Sequence, residues 1–380
     1  MPDAHDDVPS VGEHPRERSP RHGASPNPAM PPHPGSRPLA GTRVLDLGGI
    51  GPGPFATMIL ADLGAEVTRL DPPNAGRENV NPVLDRGKTR VTADLKTAAG
   101  TRLAAELADA SDILVEGFRP GAAERLGLGP ADLHRTNPAL VYGRITGYGQ
   151  TGPKAQRAGH DLGYIASTGL LLQLGRADGP PQFPANLLAD FGGGGMLLVV
   201  GVLAALPRAR ETGVGTVVDA AMIDGANLLW SMMHGFAAMG LWHHDARGRN
   251  LLDSGAPFYD LYPTADGRHV SVACIEREFF AEFVRTLDLE DALPEPLETL
   301  DHWDPRHWPA LRAVIAPALA ARSLEAIVAL FADRDACVEP VLTMAEAKED
   351  PHNVERGLFR TDAAGVDHPS PAPRFSPGGA

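Results

Sequence analysis

Two side chains in this 380-residue chain have the type and the setting to move a proton near neutral pH. His160 stands in Gly159-His160-Asp161, and Asp190 in Asn-Leu-Leu-Ala-Asp-Phe-Gly-Gly-Gly-Gly. Each stands at the mouth of an apolar, helix-like run, Leu162 to Leu174 and Met196 to Leu206. An imidazole titrates at about 6.5 when unperturbed. A carboxylate at a helix start is favoured in its charged form by roughly 0.3–1 kcal/mol. Both residues have plainer readings. Most of the 14 histidines must be surface or satisfied core groups, and an Asp before a helix is a common N-cap. His160 stands out because it follows a glycine, precedes an apolar run and lies where the sheet pattern ends. Glu276, in Cys-Ile-Glu-Arg-Glu, sits where a strand gives way to a helix and would draw no notice alone.

Two further patterns need weighing. Gly51-Pro-Gly53-Pro-Phe-Ala56 fits G-x-G-x-x-A, and Asp71 follows at the spacing of a dinucleotide fingerprint. That motif works by aiming backbone N–H groups at a pyrophosphate. Pro52 and Pro54 remove two of those donors, which favours a plain tight turn. The second pattern is a basic set at successive strand ends: Arg69, Arg86, Lys88, Lys96, Arg119 and Arg125. It reads either as ordinary solvated charge or as a holder for a phosphorylated ligand.

The positioning elements alternate. Thr42–Gly48 reads as a buried strand, residues 49–54 as a turn, 55–63 as a helix and Ala65–Asp71 as a strand. Arg90–Leu95, Asp112–Glu116 and 139–145 read as further strands, with a helix over Ala98–Ala108. This is the pattern of a parallel sheet with helices on its faces. An apolar region follows from about Met196 to Trp242. Beyond it, Phe258–Tyr262 and His269–Ala273 read as a hairpin, and Glu278–Leu287 and Trp308–Ala321 as helices. The fold expected is α/β, a Rossmann-like large domain over 38–225 and a smaller α+β domain over 245–340. The segment 341–380 returns to the large domain as extended chain. Residues 1–37, rich in Pro, His and Arg, read as a disordered extension.

Bulk composition narrows the partners. A formal charge of −14 leaves no basic excess for nucleic acid. The longest apolar stretch, from about Ala220 to Trp242, is broken by Asp224, Asn227 and His234, so no membrane span is expected. Cys274 and Cys337 make neither a disulfide framework nor a zinc spacing, which points to a reducing cytoplasm and no metal site.

The strings GIGPGPFATMILADLGAEV, VTADLK, VEGFRPGAAERLGLG, RITGYGQTGP, GHDLGYI, NLLADFGGGGMLLVVGVLAAL, VVDAAMIDG and GAPFYDLY resemble the family III CoA-transferases and racemases (CaiB/BaiF-like), in order from about Pro38 to Phe375. The resemblance implies two interlocked subunits, with the active site between the large domain of one and the small domain of the other. It places CoA, as part of the substrate and not as a cofactor, against Arg69, Ala93, Asp94, Leu95, Lys96, Gly117 to Gly121 with Arg119, Arg125, and the Gly159-to-Tyr164 loop. The racemase branch carries a His before the loop Asp, as His160 does, and a Glu that pairs with it, matched by Glu276. The transferase branch uses the residue matching Asp190 as a nucleophile. On these terms His160, Asp190 and Glu276 imply a racemase of 2-methylacyl-CoA thioesters. One departure favours transferases: Pro72 follows Asp71 where racemases usually have a second Arg in the strand-end motif. Met222, Met232, Met233 and Met239 read first as core packing and second as a pliable surface for an acyl chain.

Overall fold

The structure is a computed structural model that describes residues 37–75 and 80–376. Apart from Arg37, the extension expected to be disordered lies outside the described residues.

Six short strands build the main sheet: β1 (Arg43–Asp46), β2 (Glu66–Asp71), β3 (Lys88–Thr92), β4 (Ile113–Glu116), β5 (Val141–Thr146) and β6 (Thr216–Ala221). Their order is β3-β2-β1-β4-β5-β6, and every pairing is parallel. Chain order reverses between β1 and β4, which in an open parallel sheet is where ligands bind. Successive residues of a strand point to opposite faces. Val44, Val67, Ile113 and Val141 therefore pack under the helices Pro52–Asp62 and Leu197–Thr212. Their neighbours Leu45, Leu114 and Tyr142 pack on the other face with Ala104 and Ala108 of the Ala98–Asp109 helix.

Five of the six strands fall within two or three residues of the expected ranges. β6 lies inside the stretch expected to be one continuous apolar region. The corresponding residues instead form a helix, a strand and two more helices, Met222–Leu229 and Ser231–Ala238. The helix that begins near Leu187 runs to Thr212, 26 residues that include an 18-residue window of mean hydropathy 1.9, long and apolar enough to cross a membrane by length and composition. Here it lies on the sheet. A Cβ on Gly201 would come 2.5 Å from Val218 Cγ1 of β6, and one on Gly143 of β5 would come 2.9 Å from Leu198 Cδ1. This is the packing of a core helix against strands.

A second core lies around β7 (Tyr259–Pro263), β8 (His269–Ala273) and β9 (Val338–Pro340), an antiparallel sheet in the order β7-β8-β9. Phe258, just before β7, fills it together with Phe280 and Phe283 of the Arg277–Thr286 helix and Leu311 and Ile315 of the Trp308–Ala320 helix. The C-terminal segment is not simply extended chain. It forms the helices Met344–Glu349 and Pro351–Glu355, then a hairpin of β10 (Phe359–Thr361) and β11 (Asp367–Pro369). Arg86 donates to the carbonyl of Pro369 and so ties this hairpin to the large sheet.

Candidate active site

At the β1/β4 switch point the loops that follow β1, β4 and β5 open a cavity of about 790 Å³, walled on the far side by Ala155–Tyr164 and by Phe183 to Asp190. That volume suits a small-molecule site. Its rim begins at the glycine turn. Gly48 has φ +79, and a Cβ there would lie 2.7 Å from the Leu70 carbonyl, so only glycine fits. Pro52 opens the Pro52–Asp62 helix, and Pro54 follows two residues later. The first turn of a helix has unpaired N–H groups, and the two prolines leave Gly53 as the donor between them. Asp71, the acid of the apparent fingerprint, is engaged by Arg69 Nε at 2.9 Å and Arg90 Nε at 2.7 Å.

His160 is the exposed N-cap residue of the Asp161–Ser167 helix and lines the cavity. Asp190 lines the same cavity, and a Cβ on Gly51 would lie 3.8 Å from Asp190 Oδ2, so this carboxylate stands directly against the glycine turn. Asp190 does not precede a helix as expected. It sits in the first turn of a ten-residue π-helix, Leu187–Met196, that continues into the Leu197–Thr212 helix. π-helical segments are rare and are frequently found at functional sites. Burial pushes the Asp190 carboxyl above its ordinary range, and the nearby Asp161 carboxylate adds to this. A hydrogen bond from Asn186 Nδ2, at 3.2 Å, and the proximity of His160 oppose it. Asp190 and His160 are therefore near enough to sense each other's charge.

Tyr164 closes the wall. Its hydroxyl donates to the Gly159 carbonyl at 2.5 Å, and burial together with the Asp190 charge pushes it up to about 12. A Cβ on Gly147 or Gly159 would strike its ring at 2.2 or 2.6 Å. These two glycines admit the ring, and the ring fixes the loop that carries His160.

Among the other expected contacts, Gly117, Arg119, Gly159 and Tyr164 line the cavity. Ala93, Asp94, Leu95, Lys96 and Arg125 do not. Ala93–Lys96 follow β3, and Arg125 ends the short Ala122–Arg125 helix after β4. Much of the basic set has a different use. Arg69 is 1% exposed, donates to the Gly49 carbonyl at 2.8 Å and pairs with Asp71 and Asp85. Lys88 is buried, with Nζ held by Asp46, Thr57 and the Pro54 carbonyl, and Arg86 pairs with Asp62. Arg69 and Lys88 hold up the turn from beneath, Arg86 ties the far end of its helix, and none of the three lines the crevice. Glu276 is exposed, stands at the N-cap position of the Arg277–Thr286 helix without a side-chain capping bond, and does not line this cavity. The Gly192–Gly195 run does not present donors either. Within a π-helix its N–H groups bond five residues back. Its missing side chains instead let Gly193 approach Ala226, where a Cβ would be 2.5 Å from Ala226 N. Met222 is buried at the cavity, whereas Met232 and Met239 are 50% and 69% exposed and are not core residues.

Two site residues escaped the sequence reading, Asn186 and Asp161 in its own right, while Gly51 was read only as part of a turn. Asn186 precedes Asp190 by four positions, a spacing that places both on one helix face. Asp161 is 3% exposed, and its Oδ2 accepts from Ala189 N at 2.6 Å and Asp190 N at 2.9 Å.

An open α/β fold with an imidazole and a carboxyl lining one switch-point crevice has the parts of an acid/base or acyl-handling site. Residues 39–378 match the model of CoA-transferase family III, and the chain belongs to that family. It is 41% identical to the α-methylacyl-CoA racemase of Mus musculus over 339 residues, 89% of this chain and 86% of that one. It is 31% identical to the succinyl-CoA–D-citramalate CoA-transferase of Chloroflexus aurantiacus, covering 90% and 89%. Among solved structures, a CaiB/BaiF family protein from Brucella suis superposes with a TM-score of 0.76 at 26% identity, covering 90% of this chain and 93% of that one. The α/β architecture and its six-stranded parallel sheet are those of the family, and an acyl-CoA substrate follows from membership.

Proposed function

We propose that this enzyme interconverts the epimers of 2-methylacyl-CoA thioesters by a two-base 1,1-proton transfer. The observation that carries the reading is the presence of His160 and Asp190 in the lining of one crevice, in a chain 41% identical to α-methylacyl-CoA racemase. One group removes the α-proton from its face and leaves an enolate with the charge on the thioester oxygen. The other, already protonated, delivers a proton to the opposite face. When neutral His160 is the base, Asp190 must be the acid, and an Asp190 carboxyl held above its ordinary range suits that role.

The thioester α-proton lies about ten or more pK units above an imidazole, so the site must offset at least ~14 kcal/mol at ~1.4 kcal/mol per unit. Two helix N-termini open on the cavity, at Gly51–Pro54 and at His160–Leu162. Their unpaired N–H groups and positive dipole ends favour an enolate oxygen. Glu276 orients His160 only if it comes from the small domain of a second copy, in an interlocked dimer. The assay is incubation of a single epimer in D2O. Both epimers should appear, each carrying α-deuterium. Acyl exchange onto a free acid without α-exchange would establish a transferase with Asp190 as nucleophile.

A further inference from the structure

Resting on the acid/base reading of this site, we infer that Asp161 is the positioning residue of the pair, a single buried carboxylate that fixes both halves. Through Oδ2 it clamps the backbone N–H groups of Ala189 and Asp190, at 2.6 and 2.9 Å, and so pins the first turn of the π-helix. Through the main chain it is the next residue after His160, and the His160 carbonyl accepts from Gly163 N and Tyr164 N in the same turn. The loop bearing the imidazole and the helix bearing the carboxyl are joined at this one side chain.

A cap alone does not explain its state. Asp161 is 3% exposed, yet its Oδ1 is buried with no hydrogen-bond partner. An unmatched buried oxygen is costly, and an asparagine amide or a serine would cap the same N–H groups without a charge. The charge has a use at Asp190. The groups facing the Asp190 carboxyl are Asn186 on its own helix, and His160, Asp161 and Tyr164 from the opposing loop and helix. The glycine turn brings no titratable group against it. On the Met222–Leu229 helix, Asp224 acts on Asp219 instead. Among these neighbours Asp161 is the one carboxylate, and it disfavours a second negative charge beside it.

Two variants separate the clamp from the charge. Asp161→Ala removes both, and kcat for α-exchange should fall about 10²-fold with KM within about threefold, since a misplaced group loses rate more than binding. Asp161→Asn keeps an acceptor for the clamp and removes the charge. It should retain kcat within about tenfold, while the Asp190-dependent limb of the pH–rate profile moves to lower pH. A 13C carboxyl titration of Asp190 in the wild type and in Asp161→Asn reads the same shift without any turnover, so it stands even if the enzyme proves to be a transferase. Wild-type kcat in Asp161→Ala, or an Asp190 titration unchanged in Asp161→Asn, would overturn the inference. Absence of α-exchange in the wild type, with the titration shifted as expected, would sink the racemase reading alone.

Discussion

Replacing Gly225 by alanine should disable the site from a position that touches no substrate. Gly225 lies on the Met222–Leu229 helix, and a Cβ there would stand 1.9 Å from the Gly193 carbonyl oxygen and 2.4 Å from its carbon. Ordinary contact begins at 3.4 Å, so the two backbones must part by about 1.5 Å (3.4 − 1.9). Both partners are main chain, and no flexible side chain can give way. Overpacking of this kind costs typically about 1–3 kcal/mol. The displaced element is the π-helix that carries Asp190, and a misplacement of about 1 Å at a reacting group costs about 10²-fold in rate. Urea unfolding and α-deuterium exchange should therefore both respond, with exchange falling about 10²-fold in a protein that is still folded by near-ultraviolet circular dichroism. Gly235→Ala is the control. It is also helical, but nothing lies within 4 Å of its Cβ, so the change should be neutral or stabilising by up to about 1 kcal/mol. A folded Gly225→Ala enzyme with wild-type exchange would refute the argument that this glycine contact sets the position of Asp190.

Asp190→Asn should abolish epimerisation by about 10²–10⁴-fold and still allow deuterium exchange of the one epimer whose proton faces His160, with His160→Ala giving the mirror result; equal loss of exchange for both epimers would speak against a base on each face. Lys88→Met should cost about 3–5 kcal/mol in urea unfolding, because it leaves Asp46, 0% exposed, without the ammonium at 3.1 Å; a cost under about 1 kcal/mol would show that Arg69 and Thr57 suffice. Glu116 is pushed by burial from its ordinary 4.5 to about 7, against the pull of the Phe118 N–H and Arg144. Between those values the folded chain binds the proton that the unfolded chain has lost, so this group's contribution to stability falls as pH rises from about 4.5 to about 7, on the order of 3 kcal/mol in all. Glu116→Gln should flatten the stability profile in that window, and a difference from wild type that is the same at pH 5 and pH 8 would reject the assignment.

The parts of the fold legible in the sequence are those where one physical signal dominates. Strands buried on both faces, such as Ile113–Glu116, are short apolar runs between breakers, and they were placed closely. β6 was hidden because its apolar residues join those of the flanking helices, and periodicity cannot divide a continuous run. Its first four residues are also largely exposed at the sheet edge. β9, three residues long, is below what any pattern reveals. At the site, His160 and Asp190 were legible because their residue types and flanking glycines are local facts. The clamp by Asp161 was not, since it joins residues 28 and 29 positions apart through main-chain donors that leave no mark on side-chain identity. The basic set misled for a related reason. Arg69 and Lys88 owe their meaning to Asp46, Asp71 and Asp85, acids scattered along the chain that meet only when the sheet forms.

The π-helical turn beneath Asp190 also makes the site a counter of residues. An α-helix turns by about 100° per residue, and a segment bonded five residues back holds one more residue per turn than an α-helix accommodates. Deleting one glycine from Gly192–Gly195 would let that segment relax to ordinary helix. The downstream half would stay seated on the sheet, while Asp190 would lose the place that the wider turn gives it beside the Asp161 clamp and the glycine turn. Length in this stretch is therefore constrained as tightly as chemistry. A variant could keep every catalytic side chain and lose the reaction through one missing residue that bears no functional group at all.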